Sequence, residues 1–583
     1  MTKTKWNQLQ VEEKAMKRLT EINEAKGYQL SEFLLTLLYN RGVRTEEDFA
    51  KYLNCDVKSE QSPYDMIDVE EAVAALIEAL RTKKHIVVYA DYDCDGVSAG
   101  TIAVKALRNL GGHVDYYINS RFVEGYGISP LGVDNMLKEF PTAEFVLTVD
   151  NGIVAYEGIR YAVEEKGLQV VVTDHHLAQA QLPTQALAVV NPHRLDDTST
   201  FKDVCGATVI YKVMYALYWE LGESLNYILN MVDLVGMATV GDVMPLEYEN
   251  RYFVRRALEL IDKGSREQFV VLKSKLNLSG NEEDFGFSIV PIVNSCGRLY
   301  GKPTLAMDFF LTTEKEEMEK LADELIETNK KRKELTTEQV NLAMAMVDES
   351  NLPTVIIVKN KDFHDGIVGL IAGQLKEKYQ RPSIALKEES DGTLRGSARS
   401  VNVVPVKKLL DEVNQSTDTL VQYGGHTLAA GMTVGAGKFD DFNAEMNRIA
   451  NTWVTEDDLI PTVQVDAVFH ASDMTRKLVE ELDQLRPYGQ AFPKPCFQIN
   501  GFEVNDVLYM GASKIHLRLT NKESGLQMVQ FGHAEAYKQS GEPEIVQALG
   551  FPGLNFFRNK VTIQFMIAET NLRSQGGVRF PVR

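Results

Sequence analysis

Four apolar, β-branched runs, HIVVYADYD, GHVDYYIN, FVLTVD and LQVVVTDHH, each end in a polar cluster, and helix-like stretches such as EGIRYAVEEKG lie between them. Short apolar runs bounded by Asp, Asn or Gly predict buried strands, and their alternation with helices predicts a parallel sheet covered by helices. Residues 67–313 are assigned to this first α/β domain, and residues 1–66 ahead of it read as short amphipathic helices, with Thr45 before two glutamates as a helix start. Residues 314–348 contain no Gly or Pro and space their apolar side chains three or four apart, as in Met318, Leu321, Leu325, Val340, Met344 and Val347. That spacing predicts one long connecting helix, on the order of 50 Å at about 1.5 Å per residue. A second α/β domain follows at 349–456, with strands at TVIIVK and SIALK and a glycine cluster at YGGHTLAAGM. Residues 457–583 alternate as strands do: Lys514, His516 and Arg518 share one face, and Ile515, Leu517 and Leu519 the other. The fold class is therefore α/β, two α/β domains joined by a long helix, with a β-rich C-terminal domain.

Charge restricts what such a chain can bind. Its 62 Lys plus Arg against 82 Asp plus Glu give a formal net charge of −20 over 583 residues. Bulk attraction to a polyanion is excluded, because non-specific nucleic-acid affinity comes from neutralising phosphates. A nucleic-acid partner would need a local basic track. The excess is uneven: residues 1–350 carry 37 basic and 55 acidic side chains (37 − 55 = −18), and residues 351–583 carry 25 and 27 (25 − 27 = −2). Five cysteines, Cys55, Cys94, Cys205, Cys296 and Cys496, show no CxxC spacing, so neither a disulfide framework nor a zinc site is indicated. No apolar h-region follows the N-terminal lysines and no apolar run approaches a membrane span, so the expected compartment is the reducing cytoplasm.

The candidate chemistry lies at the strand ends. The first run closes in Asp91-Tyr92-Asp93-Cys94-Asp95-Gly96, three carboxylates at alternate positions before a glycine that lets the backbone turn. A calcium loop of the EF-hand type requires a Glu at its twelfth position, which here is Ile102. Three further clusters carry Asp150, Asp174-His175-His176 and Asp242, the last read as another strand end. A lone Asp at a strand end is usually a cap or turn former. Four clusters at one edge of a parallel sheet would repel one another without a counterion, and carboxylates with imidazole suit a divalent cation such as manganese.

In order along the chain, DYDCDG, the Gly125-Tyr126-Gly127 segment, VDNG, TDHH and VGDVMPL resemble the motifs of the DHH-family phosphoesterases, and within them the RecJ-type single-strand-specific 5′→3′ DNA exonucleases. The likeness extends through IVNSCGRL, HDGIVGLIAG, RGSARS and YGGHTLAAG to LRPYGQAFPKPCF, and so covers nearly the whole chain. It implies a DHH domain, a DHH-associated domain and an OB-like C-terminal domain. It also implies that Asp93, Asp95, Asp150, His175 and Asp242 are metal ligands for two divalent cations, usually manganese, with magnesium as the alternative. Asp91 and Asp174 would support them, and His176 would contact the scissile phosphate. The same resemblance places Arg121, Arg298, Ser397 and Arg399 around the 5′ phosphate between the two α/β domains, with His426 reaching the same cleft. Lys514, His516 and Arg518 would line the single-strand groove of the OB-like domain, while the basic run Lys330–Lys333 on the connecting helix reads as a solvated face or a DNA contact. Cys94 stands where the family more often has a small apolar residue and reads as a packing residue; Phe363 and Ser295-Cys296 are the other departures.

The implied function is degradation of single-stranded DNA from its 5′ end in recombination and repair, with a single-strand-binding protein and a helicase as family-level partners. Two alternatives remain. One is a phosphodiesterase of short oligonucleotides or cyclic dinucleotides, disfavoured by the extra C-terminal domain; the other is an inactive scaffold, disfavoured because every ligand position holds Asp or His.

Overall fold

In the computed structural model, residues 4–53, 60–557 and 560–571 are described. Cys55 and the arginines of the C-terminal tail, Arg573, Arg579 and Arg583, lie outside them. The chain divides into two compact units, residues 50–335 with 487–492, and the remainder.

The first unit is built on five parallel strands: β1 (His85–Ala90), β2 (His113–Ile118), β3 (Phe145–Val149), β4 (Gln169–Thr173) and β5 (Ala188–Val190). Their order is β2-β1-β3-β4-β5. The three-residue β5 was not foreseen from the sequence. Side chains alternate between two cores: Ile86, Val88, Phe145, Leu147 and Val171 pack on the face that carries helices Cys94–Asn109 and Gly206–Glu220. Val87, Tyr89, Val146, Val170 and Val172 pack on the opposite face. Burial on both faces explains why these strands read as continuous apolar runs. The chain leaves β1 to one side for β2 and crosses back to the other for β3, so the carboxyl ends of β1 and β3 form a topological switch point, where open α/β sheets take their ligands.

Residues 487–492, inside the motif LRPYGQAFPKPCF, belong to this unit. They are held there by Arg251, fully buried, which donates to the carbonyls of Pro487 and Tyr52 at 2.7 and 2.8 Å.

The helix Lys315–Met344 runs unbroken for 30 residues, about 45 Å. Within its basic run, Arg332 donates to Asn329 Oδ1 at 2.6 Å and Lys330 pairs with Glu327 at 3.7 Å, both along the helix itself.

In the second unit, β6 (Ile356–Asn360), β7 (Ser383–Glu388), β8 (Leu394–Arg399), β9 (Leu420–Gly425) and β10 (Ala429–Val434) form a mixed sheet in the order β9-β10-β8-β7-β6. The glycine cluster at 424–431 is thus the hairpin joining β9 to β10. The C-terminal strands are β11 (Ala467–Phe469), β12 (Phe497–Met510), β13 (His516–Asn521), β14 (Gln527–Gln530), β15 (Ile545–Phe557) and β16 (Lys560–Asn571). Pairing of β12 with both β13 and β15 closes β12-β13-β14-β16-β15 into a barrel, with β11 alongside β12. Closure removes the exposed edges of a short-stranded sheet.

The N-terminal residues join this unit: strand Lys5–Gln8 pairs in parallel with Thr462–Val465, and Arg41 meets Asp466 at 2.9 Å in a buried ion pair. Among the described residues, no helix is long and apolar enough to cross a membrane.

Candidate metal centre

Every strand-end carboxylate of the first unit lies at the switch point, and each is placed by a distinct backbone device. Asp93 caps helix Cys94–Asn109, accepting from the N–H groups of Asp95 and Gly96 at 2.9 and 3.2 Å. Asp95, one residue into that helix, is held across the site by the first N–H groups of helix Gly206–Glu220, Gly206 to Oδ2 at 2.6 Å and Ala207 to Oδ1 at 2.7 Å. A helix N-terminus favours a carboxylate both by its free donors and by its dipole. Asp150 follows β3 with φ +62°, a left-handed conformation that turns its side chain back over the sheet edge.

Asp242 departs from the sequence expectation. It is not at a strand end: Val232–Gly241 is a helix, apolar on all sides because it is buried, and Asp242 is its C-cap residue. A continuous apolar run is equally compatible with a buried strand and a buried helix, which is why the pattern misled.

The side chains converge. His175 Nε2 lies 3.2 Å from Asp150 Oδ1, 3.5 Å from Asp242 Oδ2 and 3.6 Å from Asp95 Oδ2. Two sets of potential ligand atoms, Asp95-His175-Asp242 and Asp91-Asp93-Asp150, each fall within 4.8 Å of one another. Asp91 Oδ1 and Asp150 Oδ1 are buried with no hydrogen-bond partner among the described residues. Burial, then the neighbouring carboxylates, pushes Asp150 and Asp91 well above the usual carboxylate range. The same causes raise Asp95 to about 7 and Asp242 to about 8. Buried carboxylates with orphaned oxygens facing a neutral imidazole form a ligand set for divalent cations. His175 is neutral because burial and the adjacent His176 bring it down to about 4.

Asp174 plays a different part. Its oxygens accept from the N–H groups of His175, His176 and Ile153 and from His176 Nδ1 at 2.7 Å, so its lone pairs are committed to orientation. Burial works against a charged His176, but the bond to Asp174 and the surrounding carboxylates raise it to about 9. Tyr126, in the glycine–tyrosine–glycine segment, brings its hydroxyl within 2.9 and 3.1 Å of the two His176 ring nitrogens.

Arg121 and Arg298 flank Tyr92 within the first metal motif. The Arg121 guanidinium is 5.3 Å from the Tyr92 ring centre, and both arginines counter the burial that raises the Tyr92 hydroxyl. Gly297 lets the Arg298 helix approach, since a Cβ there would lie 2.6 Å from the Tyr92 carbonyl oxygen. In the second unit, Arg399 Nη1 donates to Ser397 Oγ at 2.7 Å, and Gly369 of the HDGIVGLIAG segment backs both side chains. His426 occupies the exposed turn leading to β10, whose Ala429 pairs with Arg399. Cys94 is fully buried and burial keeps it a protonated thiol, consistent with packing. On the barrel, His516 and Arg518 face outward from β13 while Leu517 and Leu519 are buried. Lys514 and Ile515 precede the strand, Lys514 with φ +53°, so neither follows the alternation read from the sequence.

Gly206 escaped the sequence reading. A Cβ at this position would sit 2.6 Å from Asp150 Oδ1, so only glycine lets this helix start against the carboxylate. Gly206→Ala is expected to lower metal affinity at least tenfold, the scale on which displaced supporting groups act, while the fold survives; unchanged manganese binding by calorimetry would refute this.

Family models match three segments: the DHH family N-terminal domain over residues 85–239, the DHHA1 domain over 352–452 and the RecJ OB domain over 465–569. The single-stranded-DNA-specific exonuclease RecJ of Bacillus subtilis is 31% identical over 97% of this chain and 71% of its own. The chain belongs to the RecJ family. The Escherichia coli RecJ exonuclease is 30% identical over 82% of this chain and 85% of its own. A crystal structure of RecJ in complex with Mn2+ from Thermus thermophilus superposes with a TM-score of 0.81 at 25% identity, covering 97% of this chain and 79% of that one. The RecJ-type arrangement of DHH, DHHA1 and OB domains expected from the motifs is the arrangement found.

Proposed function

We propose that this protein is a metal-dependent exonuclease that hydrolyses single-stranded DNA from its 5′ end, in the cytoplasm, during recombination and repair. The observation that carries the reading is the convergence of Asp91, Asp93, Asp95, Asp150, Asp242 and His175 at the switch point of a RecJ-family chain. Two ligand groups that meet at Asp150 favour two cations, manganese first and magnesium as the alternative. When bound, such a pair lowers the pKa of a water for in-line attack on phosphorus and neutralises the leaving oxygen.

The chain's own residues supply the rest. His175 and the five aspartates hold the cations. Asp174 fixes His176 through Nδ1, and Nε2–H, which lies 3.1 Å from the Tyr126 hydroxyl, donates to a non-bridging oxygen of the scissile phosphate when substrate displaces that contact. No Ser or Cys nucleophile is required. Arg121, Arg298, Ser397 and Arg399, with His426, grip the 5′ phosphate, guanidinium forks being suited to that geometry. Lys514, His516 and Arg518 hold the strand beyond the site. The closed barrel of residues 497–571 favours a polymer over a cyclic dinucleotide. A single-strand-binding protein and a helicase are the partners that would present such a strand.

The test compares hydrolysis of a long 5′-phosphorylated strand, the same strand with a 5′ hydroxyl, and a dinucleotide. The long phosphorylated strand is expected to be degraded fastest, and Arg399→Ala to erode the preference for the 5′ phosphate by about tenfold, as the loss of a charge-assisted contact implies. Cleavage of the dinucleotide alone would overturn the reading.

A further inference from the structure

The sheet that presents the metal centre at its carboxyl edge carries a second cluster at its amino edge. His85 opens β1 and His113 opens β2, and the parallel register pairs them directly. Asp115, further along β2, shares the face of His113, because side chains alternate along a strand. His85 Nε2 lies 2.9 Å from Asp115 Oδ2, and the His113 ring stacks on that of His85 with centroids 4.0 Å apart. One ligand atom from each of the three falls within 4.8 Å of the other two. The length of β1, roughly 20 Å at about 3.3 Å per residue, separates this cluster from Asp91, so it is no part of the catalytic centre.

Two of the three side chains are already oriented. His85 is buried, and its Nδ1 lies 2.8 Å from the Thr142 hydroxyl. With Nδ1–H donating to that hydroxyl, the Nε2 lone pair faces a carboxylate oxygen, and two facing acceptors need a cation shared between them. A partner on the second ring nitrogen is also how metal-binding imidazoles are held. Asp115 is steadied from its other oxygen: Arg108 Nη2 lies 3.6 Å from Oδ1, while Arg108 Nε donates to the Val114 carbonyl at 2.9 Å. Glu144 brings a further negative charge, its Oε2 accepting from the His85 N–H at 3.4 Å, and Lys84 is engaged by Gln169 Oε1 at 2.6 Å. His113 is exposed, so its ring can leave the stack and aim a nitrogen at a cation held by the other two. Tetrahedral ligands at about 2.0–2.2 Å from a zinc ion lie about 3.4 Å from one another, so the half-buried Asp115 need draw back by only about half an ångström.

We propose that His85, His113 and Asp115 form a zinc site, with water in the fourth position, that clips β2 to β1. Two imidazoles and one carboxylate are a borderline donor set, which selects zinc over the manganese or magnesium suited to the aspartate-rich centre. Cysteine spacing bears on thiolate sites alone; this site joins residues that only the strand register brings together. β2 is the edge of its sheet, paired on one side only. A cation held across both strands ties that edge down, and because the unfolded chain lacks the site, its binding energy adds to the stability of the fold.

The test uses the full chain, unaltered or carrying His113→Ala or Asp115→Asn, dialysed against micromolar zinc with manganese in excess, and bound zinc is measured by atomic absorption. Zinc also competes for the catalytic centre, so the difference between the proteins is the quantity read. Each variant is expected to retain about one zinc fewer per chain, the loss of one ligand weakening the site by more than about tenfold. Zinc added over manganese should raise the melting midpoint of the unaltered protein by a few degrees and those of the variants by less. Manganese-dependent hydrolysis should be equal in all three, which also shows that the variants fold; should one fail to fold, the other decides. Equal zinc content in the unaltered protein and a folded variant would overturn the proposal, as would an equal zinc-induced shift in melting.

Discussion

Asp150→Ala protein is expected to bind single-stranded DNA and fail to cleave it. Asp150 joins the two ligand groups: its Oδ1 lies 3.2 Å from His175 Nε2, and it falls with Asp91 and Asp93 in a set whose ligand atoms lie within 4.8 Å of one another. Its backbone is in the left-handed region and its side chain is fully buried. Groups that act as a unit lose most of their effect together, and a fall of at least about a thousandfold in nucleotide release is expected. Asp150→Asn, which keeps the shape and removes the charge, should behave alike, and His175→Ala should match both. Strand affinity in EDTA should change less than about threefold, because the proposed phosphate and barrel contacts remain. Hydrolysis by Asp150→Ala within tenfold of the unaltered protein would remove this residue from the mechanism.

The metal-free protein should lose stability as pH rises, and divalent cations should restore it. In the folded, metal-free state Asp95 and Asp242 titrate near 7 and 8, and Asp91 and Asp150 are raised as well. In the unfolded chain all four titrate near the ordinary aspartate value of about 4. Between about pH 4 and pH 8 the folded state therefore binds more protons than the unfolded one, and the stability they contribute is present at low pH and lost as pH climbs through that window. His176, raised to about 9, acts in the same direction above its ordinary value. His175, lowered to about 4, opposes it between about pH 4 and 6.5, but is outnumbered.

Metal ions compete with these protons, so binding releases protons and strengthens with pH. Thermal melts in EDTA should fall by several degrees from about pH 5 to about pH 8.5, and the rise on adding manganese should be larger at the higher pH. Glu60, which partial burial raises to about 7 against the opposing pull of Lys212, adds a pH dependence of the same sign. The difference between metal-loaded and metal-free melts isolates the centre. A manganese-induced shift that is equal at both pH values would contradict this account.

Much of the centre was legible because its ligands follow strands. Asp91, Asp93, Asp95, Asp150, His175 and His176 each come directly after an apolar run, and parallel pairing brings such runs out at one edge. Asp242 was identified through its motif and misplaced in secondary structure, since burial on all sides hides helical periodicity. The division of labour at the TDHH motif was implied by the family resemblance alone: nothing in four consecutive letters shows that Asp174 accepts four hydrogen bonds and orients His176.

What the amino-acid sequence alone determined is the set of elements and the residue types at their ends, since strand runs, helix spacing and turn residues act over a few positions. Three matters were left to the tertiary structure. The helix beginning at Gly206 reaches Asp95 across more than a hundred residues. The N-terminal strand at Lys5–Gln8 finds its partner at Thr462–Val465. His113 stacks on His85 only because the register of β1 and β2 puts it there. Each depends on a pairing between distant segments, chosen by packing and by the need to satisfy backbone donors once buried.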